Sequence, residues 1–131
     1  LSGTELTISK GITVDASALY TASTQTPGIT VDANQASRVF YVNGGTTDAP
    51  VALIGLKITG GKASEGGGVY AYYGTTTLTN CAVSGNTASS AGGGVYVACN
   101  SSATFARSIA VAYFGGLPTR EAMVKGLRLR V

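Results

Sequence analysis

Two consecutive stretches of the chain, residues 53–70 and 78–96, share one pattern of apolar, small and glycine residues. A nearly fixed period of this kind is typical of stacked-repeat proteins, because a single repeat cannot bury its apolar face without neighbours. The matching positions keep an almost constant offset along the chain, in the pairs Leu53/Leu78, Leu56/Cys81, Ile58/Val83, Ala63/Ala88 and Val69/Val95.

The repeat unit has the character of β-strands. Its apolar residues alternate with polar ones, as in Leu56/Ile58 and Cys81/Val83, and no helical spacing of three and four residues is present. A unit of about 25 residues with three short strands and three turns fits one coil of a parallel β-helix, whose coils stack about 4.8 Å apart. The sequence therefore predicts an all-β solenoid of about four to five coils.

Stacked coils place equivalent residues above one another, so the repeated apolar positions should form inward ladders. Phe105 follows Leu78 at nearly the same offset and extends the first of these ladders, and Phe40 with Val42 offers another inward pair. The predicted core consists of Leu53, Leu56, Ile58, Val69, Leu78, Cys81, Val83, Val95 and Phe105.

Each clear repeat carries a run of three glycines, Gly66–Gly68 and Gly92–Gly94. Glycine allows positive φ angles and close backbone approach, so the runs predict a tight corner at the same place in both coils. A phosphate-binding loop is excluded, because Gly61-Lys62 lacks the required glycine spacing and is followed by Ala63.

The repeat becomes less regular towards both ends. The segment 11–16 recurs unchanged as 28–33, which suggests further coils near the N-terminus. We assign residues 1–108 to the repeats and residues 109–131 to an atypical tail. The tail predicts a short helix at 120–125 and a strand at 127–131. It could cap the solenoid, begin another domain, or lie outside the fold.

Charge is unevenly distributed along the chain. Residues 107–131 carry a net charge of +4, whereas residues 1–106 carry −1, so the overall +3 belongs to the tail. The repeats have no basic face, and we expect no nucleic-acid partner. Charged residues make up 11% of the chain against roughly 25% in ordinary globular proteins. A surface of Ser, Thr, Asn and Gly is common in extracellular solenoids.

The residues that the chain lacks restrict its chemistry. It has no histidine, which excludes Ser-His-Asp and Cys-His relays and the HExxH zinc site. Two cysteines alone cannot build a tetrahedral thiolate site, and we expect no cofactor or metal. Cys81 should be a buried small side chain. Cys99 should lie in a loop, and a Cys81–Cys99 disulfide is the alternative. No segment is apolar over the length of a membrane span.

The two repeats also carry motifs of a known class of proteins. Val83-Ser84-Gly85-Asn86 followed by Gly93-Gly94-Val95-Tyr96 resembles the paired F-x-x-N and G-G-[ALV]-[IVY] motifs of the polymorphic outer membrane protein family. Val83 and Ile58 stand where that family prefers Phe, and Gly61 stands at the position of Asn86. The resemblance covers roughly residues 1–108. It implies a right-handed parallel β-helix that is secreted or displayed at the cell surface as an adhesin- or passenger-like scaffold.

We therefore expect a noncatalytic solenoid, a piece of a larger protein, that presents its faces to a host-surface protein or a carbohydrate. The candidate binding strip is aromatic and comprises Tyr70, Tyr72, Tyr73 and Tyr96. The alternative is that these rings only stabilise the stacking of neighbouring strands. Open strand edges at the solenoid ends also predict end-to-end self-association.

The second hypothesis is a polysaccharide lyase or hydrolase of the pectate-lyase type, an analogy from fold alone. Asp15 and Asp32 occupy matching places and could form a carboxylate pair or a calcium site. The alternative is that each Asp bonds its own turn. Lys57, Lys62 and Arg38 are candidate bases for β-elimination, although they are more typical of solvated coil residues. A third hypothesis, ice or surface binding through Thr75–Thr77 and Thr79, is weakened by the shortness of the threonine array.

Overall fold

The computed structural model describes residues 1–46, 48–110, 114–115 and 127–129. This part of the chain is all-β, and its helical content is one 3-10 turn at Ser17–Leu19. The strands are, in chain order, β1 Leu6–Ile8, β2 Thr13–Asp15, β3 Ile29–Asp32, β4 Phe40–Asn43, β5 Val51–Ile54, β6 Leu56–Thr59, β7 Lys62–Glu65, β8 Val69–Thr79, β9 Ala82–Val83, β10 Thr87–Ala91, β11 Val95–Ala106, β12 Ser108–Ala110, β13 Phe114–Gly115 and β14 Leu127–Leu129.

The strands pair in parallel and form three sheets. The largest sheet has the order β1-β4-β8-β11-β13, with β2-β5 joining β8 beside β4. The second has the order β14-β12-β9-β6-β3, and the third is the pair β7-β10. Strands that are distant in sequence are therefore neighbours in each sheet. This arrangement is compatible with the predicted solenoid.

The register of these sheets follows the sequence period. Leu53 pairs with Leu78, which pairs with Phe105 on its other side. Ile58 pairs with Val83 in the second sheet, and Val69 pairs with Val95 in the first. The predicted ladders are thus confirmed at these positions.

The predicted core is also confirmed. Each of its nine residues is at most 2% exposed, and all nine belong to one cluster. Phe40 and Val42 join them, as does Val51 at the start of β5. Burial at roughly 25 cal/mol per Å² of apolar surface makes this column the main source of stability.

The glycine runs form stacked corners, as predicted. The amides of Gly67 and Gly68 donate to the carbonyls of Gly92 and Gly93 at 3.3 and 3.0 Å. A Cβ atom on Gly67 would collide with the carbonyl oxygen of Thr87. The corner therefore needs glycine because two backbones approach closely.

Asn86 is buried, with 5% of its surface exposed, and its side chain links neighbouring strands. Its Oδ1 accepts a hydrogen bond from the Gly61 amide at 2.8 Å, and its Nδ2 donates to the Ile58 carbonyl at 2.9 Å. A Cβ atom on Gly61 would collide with the Gly67 carbonyl. A side chain therefore does not fit at position 61. This explains why the first repeat has glycine at the position where the second repeat has Asn86.

The recurrence of segment 11–16 as 28–33 is not a coil-to-coil repeat, and that interpretation was wrong. The first copy forms β2, which pairs with β5 in the largest sheet, and the second forms β3, which pairs with β6 in another sheet. Two similar strands on different sheets have the same alternation as two stacked strands, so the pattern alone did not separate these cases.

The outer strands at this end are exposed. Within the described residues β1, β2 and β3 each pair on one side only. Leu6, Ile12 and Ile29 lie on or next to these strands and are 37–46% exposed. End-to-end association through these edges stays a prediction.

The tail is described only in part. β13 pairs with β11 and β14 pairs with β12, so the described backbone beyond residue 109 adds strands to two sheets. The predicted strand is confirmed over Leu127–Leu129. The predicted helix at 120–125 lies outside the described residues. Cys99 lies within β11 and not in a loop, which corrects its assignment.

Candidate functional site

A column of tyrosines crosses the outer face of the largest sheet. Tyr41 of β4 pairs with Tyr70 of β8, and Tyr70 pairs with Tyr96 of β11. The inward neighbours of these rings are Phe40, Val69 and Val95, so strand alternation sends each tyrosine outward. We call the three residues Tyr41, Tyr70 and Tyr96 the tyrosine column.

The rings of this column stack on one another. The centroids of Tyr70 and Tyr96 are 5.1 Å apart and those of Tyr41 and Tyr70 are 5.5 Å apart, with interplanar angles of 25° in both pairs. Tyr70 therefore stacks with a tyrosine of each neighbouring strand. A sugar stacks on a free ring face, so Tyr70 is suited to joining strands rather than to holding a ligand.

Tyr72 and Tyr73 extend the aromatic surface beyond the column. Tyr72 lies 6.2 Å from Tyr41 and 6.0 Å from Tyr70 between ring centroids. Tyr72 and Tyr73 are 46% and 56% exposed, the largest exposure among the described tyrosines. The predicted strip is thus divided into a stacked part, Tyr70 and Tyr96, and an exposed part, Tyr72 and Tyr73.

Tyr41 was missed in the sequence analysis. A signal was present, because Phe40-Tyr41-Val42 has the same pattern as Val69-Tyr70-Ala71 and Val95-Tyr96-Val97. The spacing hid it, since the step along the chain from Phe40 to Val69 is longer than the step from Val69 to Val95.

Arg38 holds one edge of the tyrosine column. Its guanidinium carbon lies 4.8 Å from the centroid of the Tyr70 ring and 5.7 Å from that of Tyr41. Its Nε donates to the Gly66 carbonyl at 3.0 Å, and its Nη2 donates to the Glu65 carbonyl at 2.9 Å.

The same guanidinium also forms an ion pair. Its Nη1 lies 2.6 Å from Glu5 Oε2, and the Arg38 side chain is 14% exposed. The assignment of Arg38 as a solvated coil residue was therefore wrong. Arg38 instead links the segment before β1 to the corner before β8.

Electrostatics around Tyr70 follow from this packing. Burial raises the pKa of the Tyr70 hydroxyl, and the Glu65 carboxylate raises it further, while Arg38 acts in the opposite direction. Tyr70 is thus a neutral phenol at physiological pH and is not an activated acid or base.

Asp15 and Asp32 lie at the ends of strands in different sheets. Asp15 Oδ1 accepts from the Ser17 amide at 2.8 Å, and Asp32 Oδ1 accepts from the Asn34 amide at 2.7 Å. The hydrogen bonds around Ser17 lower the pKa of Asp15. Each carboxylate stabilises its own turn, as in the turn interpretation. Among the described residues, no cluster of three potential ligands suits a metal ion.

Lys57 and Lys62 are exposed, in agreement with the solvated interpretation. Cys81 is a free and buried thiol. Its Sγ lies 3.3 Å from the Leu53 carbonyl oxygen, and burial raises the pKa of the thiol. Cys81 is therefore an inert core residue.

Threonines occupy one outward position of the sheet in several layers. Thr13 pairs with Ala52, Ala52 with Thr77 and Thr77 with Thr104. Ala52 interrupts this row, so the outward threonines do not form a regular array.

The sequence matches no protein-family model, and neither a curated protein nor a solved structure matches the chain. In the part of the chain that the structure describes, helices that combine the length and the apolar character of a membrane span are absent.

Proposed function

We propose that this chain is a noncatalytic β-solenoid, a right-handed parallel β-helix that is secreted or displayed at a cell surface and presents its faces to a binding partner. The observation that supports the proposal best is the in-register pairing of Phe40, Val69 and Val95, and of the tyrosine that follows each of them, across β4, β8 and β11. Apolar residues stack on the inner side of these strands and tyrosines stack on the outer side. Such stacking stiffens a scaffold along its whole length.

The connectivity of the parallel strands supports a right-handed solenoid. β4, β8 and β11 are parallel neighbours in one sheet, and the chain leaves the sheet and returns between them. Crossover connections between parallel strands are right-handed in about 98% of cases. We therefore propose the right-handed form of the solenoid.

The resemblance to polymorphic outer membrane protein repeats supports surface display. The Asn86 side chain forms two hydrogen bonds with the backbone of the neighbouring layer, and Gly61 and Gly68 of the preceding repeat leave room for its amide. The amide in F-x-x-N and the glycines in the second motif thus have complementary structural roles here. We propose an adhesin- or passenger-like role, with a host-surface protein or a carbohydrate as partner.

Two measurements test this function. Far-ultraviolet circular dichroism of the full chain should give a β-sheet spectrum, and protease treatment of intact source cells should release the epitope of an antibody raised against β8 and β11. A cytosolic fraction that retains the protein, with no surface or secreted pool, would contradict the proposal.

A further inference from the structure

The first layer of the stacked sheets, formed by β1, β2 and β3, leaves one end of the core uncovered. Leu6 is in register with Phe40, and Ile29 is in register with Leu56. Phe40 and Leu56 are each 2% exposed, whereas Leu6 and Ile29 are 40% and 37% exposed. The positions are equivalent, so the difference arises because no described strand covers the first layer. Apolar side chains at the end of the core therefore mark the place of one more layer.

The same edge also carries backbone groups that no strand has paired. The Leu6 amide donates to the Val39 carbonyl at 2.8 Å, and successive residues of a parallel strand bond to opposite sides. Thr7 therefore turns its amide and carbonyl away from β4, and within the described residues β1 pairs with β4 alone. None of β1, β2 and β3 contains a lysine or a proline, which commonly protect a sheet edge. The edge can thus accept a further strand.

The opposite edges of the same two sheets belong to the C-terminal part of the chain. In the described residues the first sheet extends from β1 to β13 and the second from β3 to β14. All strand pairs in both sheets are parallel. A second copy placed head to tail therefore brings its β13 and β14 beside β1 and β3 with the same strand direction. A head-to-head contact would reverse that direction.

The charges of the two ends are opposite. Residues 1–33 contain three carboxylates and one lysine, a net side-chain charge of −2, whereas residues 107–131 carry +4. The first layer stays acidic even without Glu5, which is paired with Arg38. Opposite charges favour the head-to-tail contact, and like charges disfavour a contact between two first layers. Charge and strand direction thus select the same orientation of a second copy.

We propose that the chain associates head to tail with further copies of itself, through β1 and β3 of one copy and β13 and β14 of the next. Each contact continues two parallel sheets and covers Leu6 and Ile29. The contact joins two different surfaces, so it does not close on itself and gives open-ended assemblies. This inference goes beyond the proposed scaffold function. A monomer displayed at the cell surface would refute the contact and leave that function intact.

Sedimentation velocity of the full chain over a range of concentrations tests the contact. We expect the average mass to rise with concentration beyond that of a dimer. Association should weaken at higher ionic strength, because salt screens the attraction between the acidic and the basic end. A chain that remains monomeric, or that stops at a dimer, would overturn the proposal. Association that strengthens with salt would overturn it as well.

Matched lysine variants locate the contact. Ile29→Lys places a charge at the uncovered end of the core and should weaken association by about tenfold. Leu19→Lys makes the same change of charge at a residue that is 57% exposed and lies in the 3-10 turn outside the sheets, so association should be unchanged. Equal losses in the two variants would show diffuse attraction rather than a contact at the strand edge.

A proline variant tests the backbone of the edge. Thr7→Pro removes the outward amide of β1 and takes no hydrogen bond from β4, so the fold should be retained and association should weaken by about tenfold. Thermal unfolding of each variant verifies its fold. If Ile29→Lys does not fold, Thr7→Pro decides the question. Unchanged association in a folded Thr7→Pro protein would overturn the proposal.

Discussion

The two faces of β8 show how one strand serves two purposes. Its inward residues Val69 and Leu78 are fully buried in ladders that exclude water. Its outward residues Tyr70 and Tyr72 stack with tyrosines of neighbouring strands or stand half exposed. The inner face thus depends on hydrophobic burial, whereas the outer face depends on ring contacts and one arginine. Mutations on the two faces should therefore differ in the size of their effects.

The largest effect is expected from a charge in the inner ladder. Ile58→Asp or Val83→Asp buries a carboxylate without a partner, which costs about 4 kcal/mol or more and approaches the whole stability of a domain. Chemical denaturation followed by circular dichroism should show a chain unfolded in buffer. Lys57→Asp, on the exposed side of the same strand, should remain folded. A cooperative native transition in Ile58→Asp would contradict the assigned ladder.

Removal of the buried amide should have the next largest effect. Asn86→Ala leaves the Gly61 amide and the Ile58 carbonyl without their side-chain partner, so we expect a loss of about 3 kcal/mol in the free energy of unfolding. Asn43→Ala, at an exposed end of β4, should change stability by less than about 0.5 kcal/mol. Equal urea midpoints for the two variants would show that the hydrogen bonds of Asn86 do not stabilise the fold.

The tyrosine column should contribute a moderate amount. Tyr70→Ser removes three ring contacts and the arginine contact, and should cost about 2 kcal/mol. Tyr73→Ser, 56% exposed, should cost less than about 0.5 kcal/mol. If Tyr70→Ser instead leaves the unfolding midpoint unchanged and abolishes partner binding, the column is a binding surface and not a stacking device.

One inward residue of β8 is polar, unlike the other residues of the inner face. Thr76 is fully buried on the inner face of β8, and its Oγ1 has no hydrogen-bond partner. Thr76→Val replaces that hydroxyl by a methyl group of similar size, so it should stabilise the protein by about 1 kcal/mol. The matched variant Thr77→Val, on the outward side, should be close to neutral. A destabilised Thr76→Val protein would show that the hydroxyl is satisfied.

The smallest expected effect is the dependence of stability on pH through the ionisation of Tyr70. Because burial raises the pKa of Tyr70 above its ordinary value of 10.0, the folded state binds the phenolic proton more tightly than the unfolded state. This contribution is complete below the unfolded pKa and is lost as the pH rises through the folded pKa. Tyrosinate absorbance should show a late-titrating phenol that disappears in Tyr70→Phe. Simultaneous titration of all tyrosines in the folded protein would contradict the packing around Tyr70.

The repeat period by itself predicted much of the fold. Ladders such as Leu53/Leu78/Phe105 were predictable because in-register parallel strands require nearly equal spacing between like residues. The stacked corners were predictable because glycine runs mark close backbone approach. Tyr70 and Tyr96 were predictable as a stack for the same reason as the ladders.

Other features depended on contacts between residues that no period connects. Tyr41 joined the column across a longer stretch of chain than the one between Tyr70 and Tyr96, and Arg38 reached Glu5 near the start of the chain.

Asp15 and Asp32 looked equivalent in sequence but lie on different sheets, since alternation specifies a strand and not its neighbour. Sequence determined the inner ladders because burial repeats with the coil, whereas tertiary structure decided the outer surface because turn lengths vary between coils.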